Sequence, residues 1–219
     1  SDLGAYAGNT INVYGSDPGF SVASNGGTHT AWEDVALIRE IPGAVICDPA
    51  DDVQMEWIIK EFLKMEGIHY VRSNRKAVRN VYKKGSSFKI GQGNILKEGK
   101  DILIIAAGQL VSEALDCAEE LEKEGYSVEV IDMFTIKPLD EKLLIKEAKG
   151  KSKIVTIENH SIYGGLGSAV SEVIAENGIS VPVKRIGVKE KFGQVGTAEF
   201  LQEEFGLTAK QIKETICQF

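Results

Sequence analysis

Ile102-Leu103-Ile104-Ile105-Ala106-Ala107 is apolar at every position. A strand with one wet face alternates, so an unbroken apolar run of this length fits a strand covered on both faces, as in a parallel sheet between helices. The residues beyond it keep to that pattern. Leu115, Ala118 and Leu121 recur at helical spacing over 112–123, and Gly125 stops the helix. Residues 127–134 predict a strand, 139–149 a helix starting after Pro138, and 153–158 another strand. After a loop over 159–165, a helix is expected over 166–176 and a strand over 181–187. Helices over 198–205 and 209–217 follow, with Thr197 and Thr208 as N-caps. Strand and helix alternate throughout, which predicts a complete three-layer α/β unit over 101–219.

The N-terminal part repeats this grammar on a smaller scale. A strand is expected over 10–14, a helix ending at Pro42, a short strand over 44–47, a helix over 51–65 stopped by Gly67, and a strand over 68–72. Val53, Met55, Trp57, Ile58, Phe62 and Leu63 give the second helix its apolar face. This predicts a second α/β unit over 1–82 with a mostly parallel sheet. Between the units the basic residues Arg75, Lys76, Arg79, Lys83 and Lys84 read as a solvated face, and 83–100, with Gly85, Gly91, Gly93 and Gly99, as a linker with extended pieces.

One loop stands out chemically. Gly26-Gly27-Thr28-His29-Thr30 runs into Ala31-Trp32-Glu33, and Thr30 with Glu33 three residues on has the spacing of a capping box. That would put His29 just before a helix N-terminus, where a neutral imidazole suits a polar or phosphorylated ligand. A tethering histidine is the plainer alternative. The candidate ligand loop is 17–29, with Arg75 as a phosphate partner.

Other motifs fail. Gly164-Gly165-Leu166-Gly167-Ser168-Ala169 invites a dinucleotide reading, but Val170 stands where glycine or alanine is needed, so close helix–strand packing explains these glycines better. Glu158 and His160 share a strand face and can pair locally or act as acid and base. No Walker A run, G-x-S-x-G elbow or H-E-x-x-H occurs. Cys47, Cys117 and Cys217 form neither a zinc spacing nor a disulfide framework, which fits a reducing cytoplasm, and Cys47 reads as a small buried hydrophobe. With 43% hydrophobic and 26% charged residues over 219 positions, the chain has the balance of an ordinary globular protein. Its net charge of −7 argues against nucleic acid as partner, and no apolar run is long enough to span a membrane.

These residues together resemble a known family. Gly15-Ser16-Asp17-Pro18-Gly19, Gly26-Gly27-Thr28-His29, Glu33-Asp34, Ile38-Arg39-Glu40-Ile41-Pro42 and Asp48-Pro49-Ala50-Asp51 look like the pyrimidine-binding domain of transketolases. Ile136-Lys137-Pro138-Leu139-Asp140, Glu158-Asn159-His160, Gly164 to Val170, Arg185-Ile186-Gly187 and Phe192-Gly193-Gln194-Val195-Gly196 resemble the family's C-terminal domain, in order. The resemblance implies that 1–82 is the C-terminal part of a pyrimidine-binding domain, incomplete by itself, and that 101–219 is a whole C-terminal domain.

It further implies ketol transfer between a ketose phosphate and an aldose phosphate, as in the pentose phosphate pathway. Thiamine diphosphate and Mg²⁺ would serve the complete enzyme and not be bound by this chain alone. The family's Gly-Asp-Gly magnesium motif is absent, and its catalytic glutamate and aromatic ring pocket would lie upstream of Ser1. The expected partners are an N-terminal transketolase part or subunit, a second copy in a homodimer, and sugar phosphates. His29 matches the histidine that hydrogen-bonds substrate near the reacting carbons, and is the expected catalytic residue. Arg75 matches the arginine that grips the sugar phosphate. Asp17 stands where transketolases usually have histidine, Asn25 where they have an aspartate that reads a substrate hydroxyl, and Thr30 in place of glutamine, which implies an altered substrate. Deoxyxylulose phosphate synthase, the β-subunit of a 2-oxoacid dehydrogenase, or a non-catalytic assembly or regulatory module remain as alternatives.

Overall fold

In a computed structural model that describes residues 2–74 and 76–219, the chain builds two sheets. The first has the order β1-β3-β2-β7, from Ile11–Ser16 (β1), Val45–Cys47 (β2), Ile68–Ser73 (β3) and Thr135–Lys137 (β7). β1, β3 and β2 are parallel, and β7 runs antiparallel against β2. The second has the order β4-β6-β5-β8-β9, from Asn94–Lys97 (β4), Ile102–Ala106 (β5), Val128–Asp132 (β6), Lys153–Ser161 (β8) and Val183–Val188 (β9). Only its edge strand β4 is antiparallel. The α/β class with mostly parallel sheets is thus the observed one.

The helices are Asp2–Tyr6 (α1), Asp34–Arg39 (α2), Asp52–Phe62 (α3), Val111–Lys123 (α4), Glu141–Ala148 (α5), Leu166–Glu176 (α6), Ala198–Glu204 (α7) and Ala209–Gln218 (α8). Thr197 and Thr208 cap α7 and α8 as expected, their hydroxyls accepting from Phe200 N–H at 3.1 Å and Gln211 N–H at 3.4 Å. Asp51 does the same for α3.

Two local readings need correction. α2 begins at Asp34, not at Thr30, and there is no capping box: the Thr30 hydroxyl donates back to Gly26 O at 3.0 Å, and the Glu33 carboxylate accepts from Trp32 N–H at 2.8 Å. His29 is therefore separated from the helix by Thr30 to Glu33. Residues 19–25, read as loop, form a 3-10 helix. β4 is one of the extended pieces within 83–100, and it adds an antiparallel edge to the second sheet.

The sheets are not independently cored. Val35, Ile46 and Tyr70 from the first share a buried cluster with Leu103, Ile105, Met133, Leu166 and Val170 from the second. Phe20 and Trp32, on either side of the glycine turn, sink into the cluster under β5, β6 and α4. Trp32 also meets Phe205 edge to face at 5.0 Å.

Candidate functional site

β1 and β3 end side by side, Ser16 opposite Ser73, so Asp17 and Asn74 emerge together at the C-terminal ends of parallel strands. Open α/β sheets bind ligands at that edge. Asp17 sits at φ 53°, a left-handed conformation that aspartate tolerates better than most residues, and its N–H donates to Ser73 O at 2.7 Å. It is 5% exposed. A cleft of about 210 Å³ opens beside it, lined by Asp17, Phe20, Ser21, Asn74, Gln109 and Glu113 among others.

From Asp17 the loop rises to a polar rim. Asn25 and His29 are exposed. His29 N–H donates to Gly26 O at 3.0 Å, and its Nδ1 shares a 3.0 Å hydrogen bond with the Thr28 hydroxyl. The structure thus brings Asp17, Asn25 and His29 onto one loop, with Asp17 at its buried root and the other two at its rim. Arg75 lies outside the described residues.

The second sheet's residues hold this loop. Asn159, at the end of β8, accepts the Phe20 N–H at 3.1 Å and donates to Pro18 O at 3.0 Å. Gln109 donates to the Ser21 hydroxyl at 2.7 Å. The segment around Gly193 to Val195 lies flat against the turn: a Cβ on Gly27 would strike Gly193 O, and one on Gly193 would strike the Thr30 side chain.

Beneath the loop is a buried charge network that sequence reasoning missed. Arg72, 1% exposed, donates to Asp34 at 2.9 and 3.2 Å, to Asp48 at 2.8 Å and to Asn159 O at 2.9 Å. Tyr70 adds a 2.6 Å bond to Asp34. Burial pushes the Asp34 carboxyl up, but Arg72 and Tyr70 outweigh it and hold it below the usual range. The missed signal was an arginine in a mostly apolar strand, Ile68-His69-Tyr70-Val71-Arg72, downstream of Asp34 and Asp48.

The Glu158–His160 pair proves to be a buried fixture. Glu158 spends its oxygens on the N-terminus of α6, accepting Leu166 N–H at 2.7 Å and Gly167 N–H at 2.9 Å. Burial raises its pKa to about 7 in spite of those bonds. His160 Nδ1–H donates to Ser161 O at 2.6 Å, which fixes the tautomer, while Glu158 stays 3.7 Å away. Burial and then Arg72 lower the His160 pKa to about 4, so the ring is neutral. The ring is fully buried.

Of the basic cluster, Lys76, Lys83 and Lys84 are exposed as expected. Arg79 is exposed as well, and it ties this segment to α4, bonding Asp116 at 2.6 and 2.8 Å and Ser112 O at 2.6 Å. Cys47 is buried, and burial pushes its thiol pKa up, which makes it inert. Among the described residues, no helix is long and apolar enough to cross a membrane.

Residues 91–212 match the family described as "Transketolase, C-terminal domain". The chain is 42% identical over 208 residues to a 6-deoxy-6-sulfo-D-fructose transketolase subunit of Clostridium sp. (strain MSTE9), covering 95% of this chain and 64% of that protein. It is 38% identical over 219 residues to a putative transketolase C-terminal section of Methanocaldococcus jannaschii, covering 99% of this chain and 68% of that one. A solved structure described as a split gene transketolase, inactive beta4 tetramer, superimposes with a TM-score of 0.87 at 36% identity, over 98% of this chain and 67% of that one. The chain belongs to the transketolase family and carries its C-terminal domain. It spans about two thirds of the length of these relatives.

Proposed function

We propose that this chain supplies the substrate loop and the C-terminal domain of a thiamine-dependent transferase that moves a two-carbon ketol unit from a ketose phosphate to an aldose phosphate. The observation that carries the reading is an exposed His29 on a loop whose base is fixed by buried bonds, at the edge of the sheet where ligands bind. In the proposal residues 1–82 complete a pyrimidine-binding domain, 83–100 link the units, and 101–219 form the C-terminal domain. His29 donates to the substrate near the reacting carbons, Arg75 grips its phosphate, and Asp17 and Asn25 read its hydroxyls.

Thiamine diphosphate with Mg²⁺ would supply the electron sink for the carbanion. Among the described residues, no group of three or more His, Cys, Asp or Glu side chains is placed to hold a metal ion. We assign it to an N-terminal part, on the same chain or on a separate subunit, and read this chain alone as inactive. A homodimer of the assembled enzyme in the cytoplasm completes the proposal. The substrate differs from the common pentose phosphates, a reading supported by Asp17, Asn25 and Thr30 and by a relative named for a sulfonated sugar.

The test is assembly with the N-terminal part, thiamine diphosphate and Mg²⁺, followed by assays across ketose and aldose phosphates. Transfer should be lost in His29→Ala and weakened for phosphorylated substrates in Arg75→Ala. A well-formed complex that transfers to no sugar phosphate would overturn the reading.

A further inference from the structure

The segment Pro18-Gly19-Phe20 follows directly on Asp17 and opens the 3-10 helix Gly19–Asn25. No strand ladder reaches it. Its backbone is held by two local bonds, Gly19 N–H to Ala31 O and Ser21 N–H to Pro18 O, both at 3.1 Å, and by one side chain from the other sheet, the Asn159 amide. Nδ2–H donates to Pro18 O at 3.0 Å, and Oδ1 accepts Phe20 N–H at 3.1 Å. The two partners, one acceptor and one donor, fix the amide's orientation. Asn159 is 3% exposed, and its own carbonyl is held by Arg72 at 2.9 Å. Between the bonded positions lies Gly19 at φ 57°, where a Cβ would strike the Asn159 Oδ1. Glycine there satisfies both the left-handed turn and the close approach of the amide.

We propose that Asn159 is a positioning residue for substrate: through its paired bonds to Pro18 and Phe20, the second sheet sets where Asp17 and Asn25 meet the sugar. The proposal rests on the reading of 17–30 as the substrate loop. The C-terminal domain then takes part in substrate selection without touching the ligand. Losing both bonds loosens the turn, which then keeps only Gly19 N–H to Ala31 O, Ser21 N–H to Pro18 O and the buried Phe20 ring, and the loop must be reordered in part each time substrate binds.

Two variants, assembled with the N-terminal part, test this. Asn159→Ala removes both bonds. Two neutral hydrogen bonds correspond to about a tenfold rise in KM for the sugar phosphate, with kcat changing less than about threefold. Amide exchange across 17–30 should quicken, most of all at Phe20. Asn159→Asp keeps an acceptor for Phe20 N–H but, when ionised, offers Pro18 O no proton. When protonated, its O–H restores that bond. Its KM, divided by the wild-type value at each pH, should therefore fall as pH drops from about 8 to about 5.5.

Taking the ratio removes the titration of the groups around this amide: Asp17 before the turn, Asp34 on α2, Asp48 after β2, Arg72 on β3, and Glu158 and His160 on β8. A merely structural defect would leave the ratio flat. The proposal is overturned if Asn159→Ala leaves KM within about twofold of wild type, or if the Asn159→Asp ratio does not change with pH. If the wild-type assembly transfers no ketol unit, the proposed function fails on its own. Exchange then decides the clamp: unchanged protection of the Phe20 amide in Asn159→Ala overturns it, and faster exchange that reverts at acid pH in Asn159→Asp, after correction for intrinsic rates, supports it.

Discussion

The Glu158 carboxylate accepts the Leu166 N–H at 2.7 Å, so the protein's own anion closes the N-terminus of α6. The Gly164 to Gly167 run that invites a nucleotide reading is a cradle for this side chain, and a Cβ on Gly165 would strike Glu158 Oε2. Gly165→Ala is expected to destabilise the fold by about 2 kcal/mol through overpacking, read as a lowered urea midpoint with an unchanged slope. A neutral result would mean the carboxylate can leave its cradle freely.

Arg72 compensates two aspartates from a buried position. Arg72→Met keeps most of the volume but leaves Asp34 and Asp48 without their cation. A loss of about 3–5 kcal/mol is expected at neutral pH. It should shrink in acid as the carboxylates protonate, and a loss independent of pH would point to packing instead.

Asp132 is a second buried carboxyl, accepting from Gln54 at 2.7 Å and Tyr82 at 2.5 Å on the same oxygen. Burial raises its pKa from 3.8 to about 7 in spite of these bonds. The folded state thus holds a proton that the unfolded chain releases, so this group's stabilisation is complete below about pH 4 and is lost as pH rises to about 7. Asp132→Asn abolishes that slope. Relative to wild type, the variant should gain on the order of 4 kcal/mol between about pH 4 and about pH 8. His160, lowered from 6.5 to about 4, acts in the opposite sense, losing stability as pH falls, and cancels because both proteins carry it. Urea midpoints at the two ends of the range measure the difference.

His29 is exposed. His29→Ala should leave stability within about 0.5 kcal/mol, while ketol transfer by the assembled enzyme falls by about a hundredfold or more. A matched loss of stability and activity would return His29 to the role of a loop tether.

The regular elements were legible because burial imposes a period on the sequence. The unbroken apolar run at Ile102 announced a strand covered on both faces, and α6 lies where its spacing placed it. Thr197 and Thr208 were legible as caps because capping is local chemistry. The capping box at Thr30 was misread because local spacing does not reveal that the chain turns helical only at Asp34, too far on for Thr30 to serve as its N-cap. β7 was missed because three residues carry no period of their own and become a strand only against β2.

For the candidate site, the sequence by itself determined which residue types stand on the loop: Asp17, Asn25 and His29 around turn-forming glycines, in an order that matched a family. Only the tertiary structure decided how that loop is held. Phe20 and Trp32 gain burial only under the second sheet, and Asn159 reaches Pro18 across 141 residues of chain. Periodicity encodes which face of an element is apolar, whereas partners that distant are chosen by the packing of two sheets on a shared core.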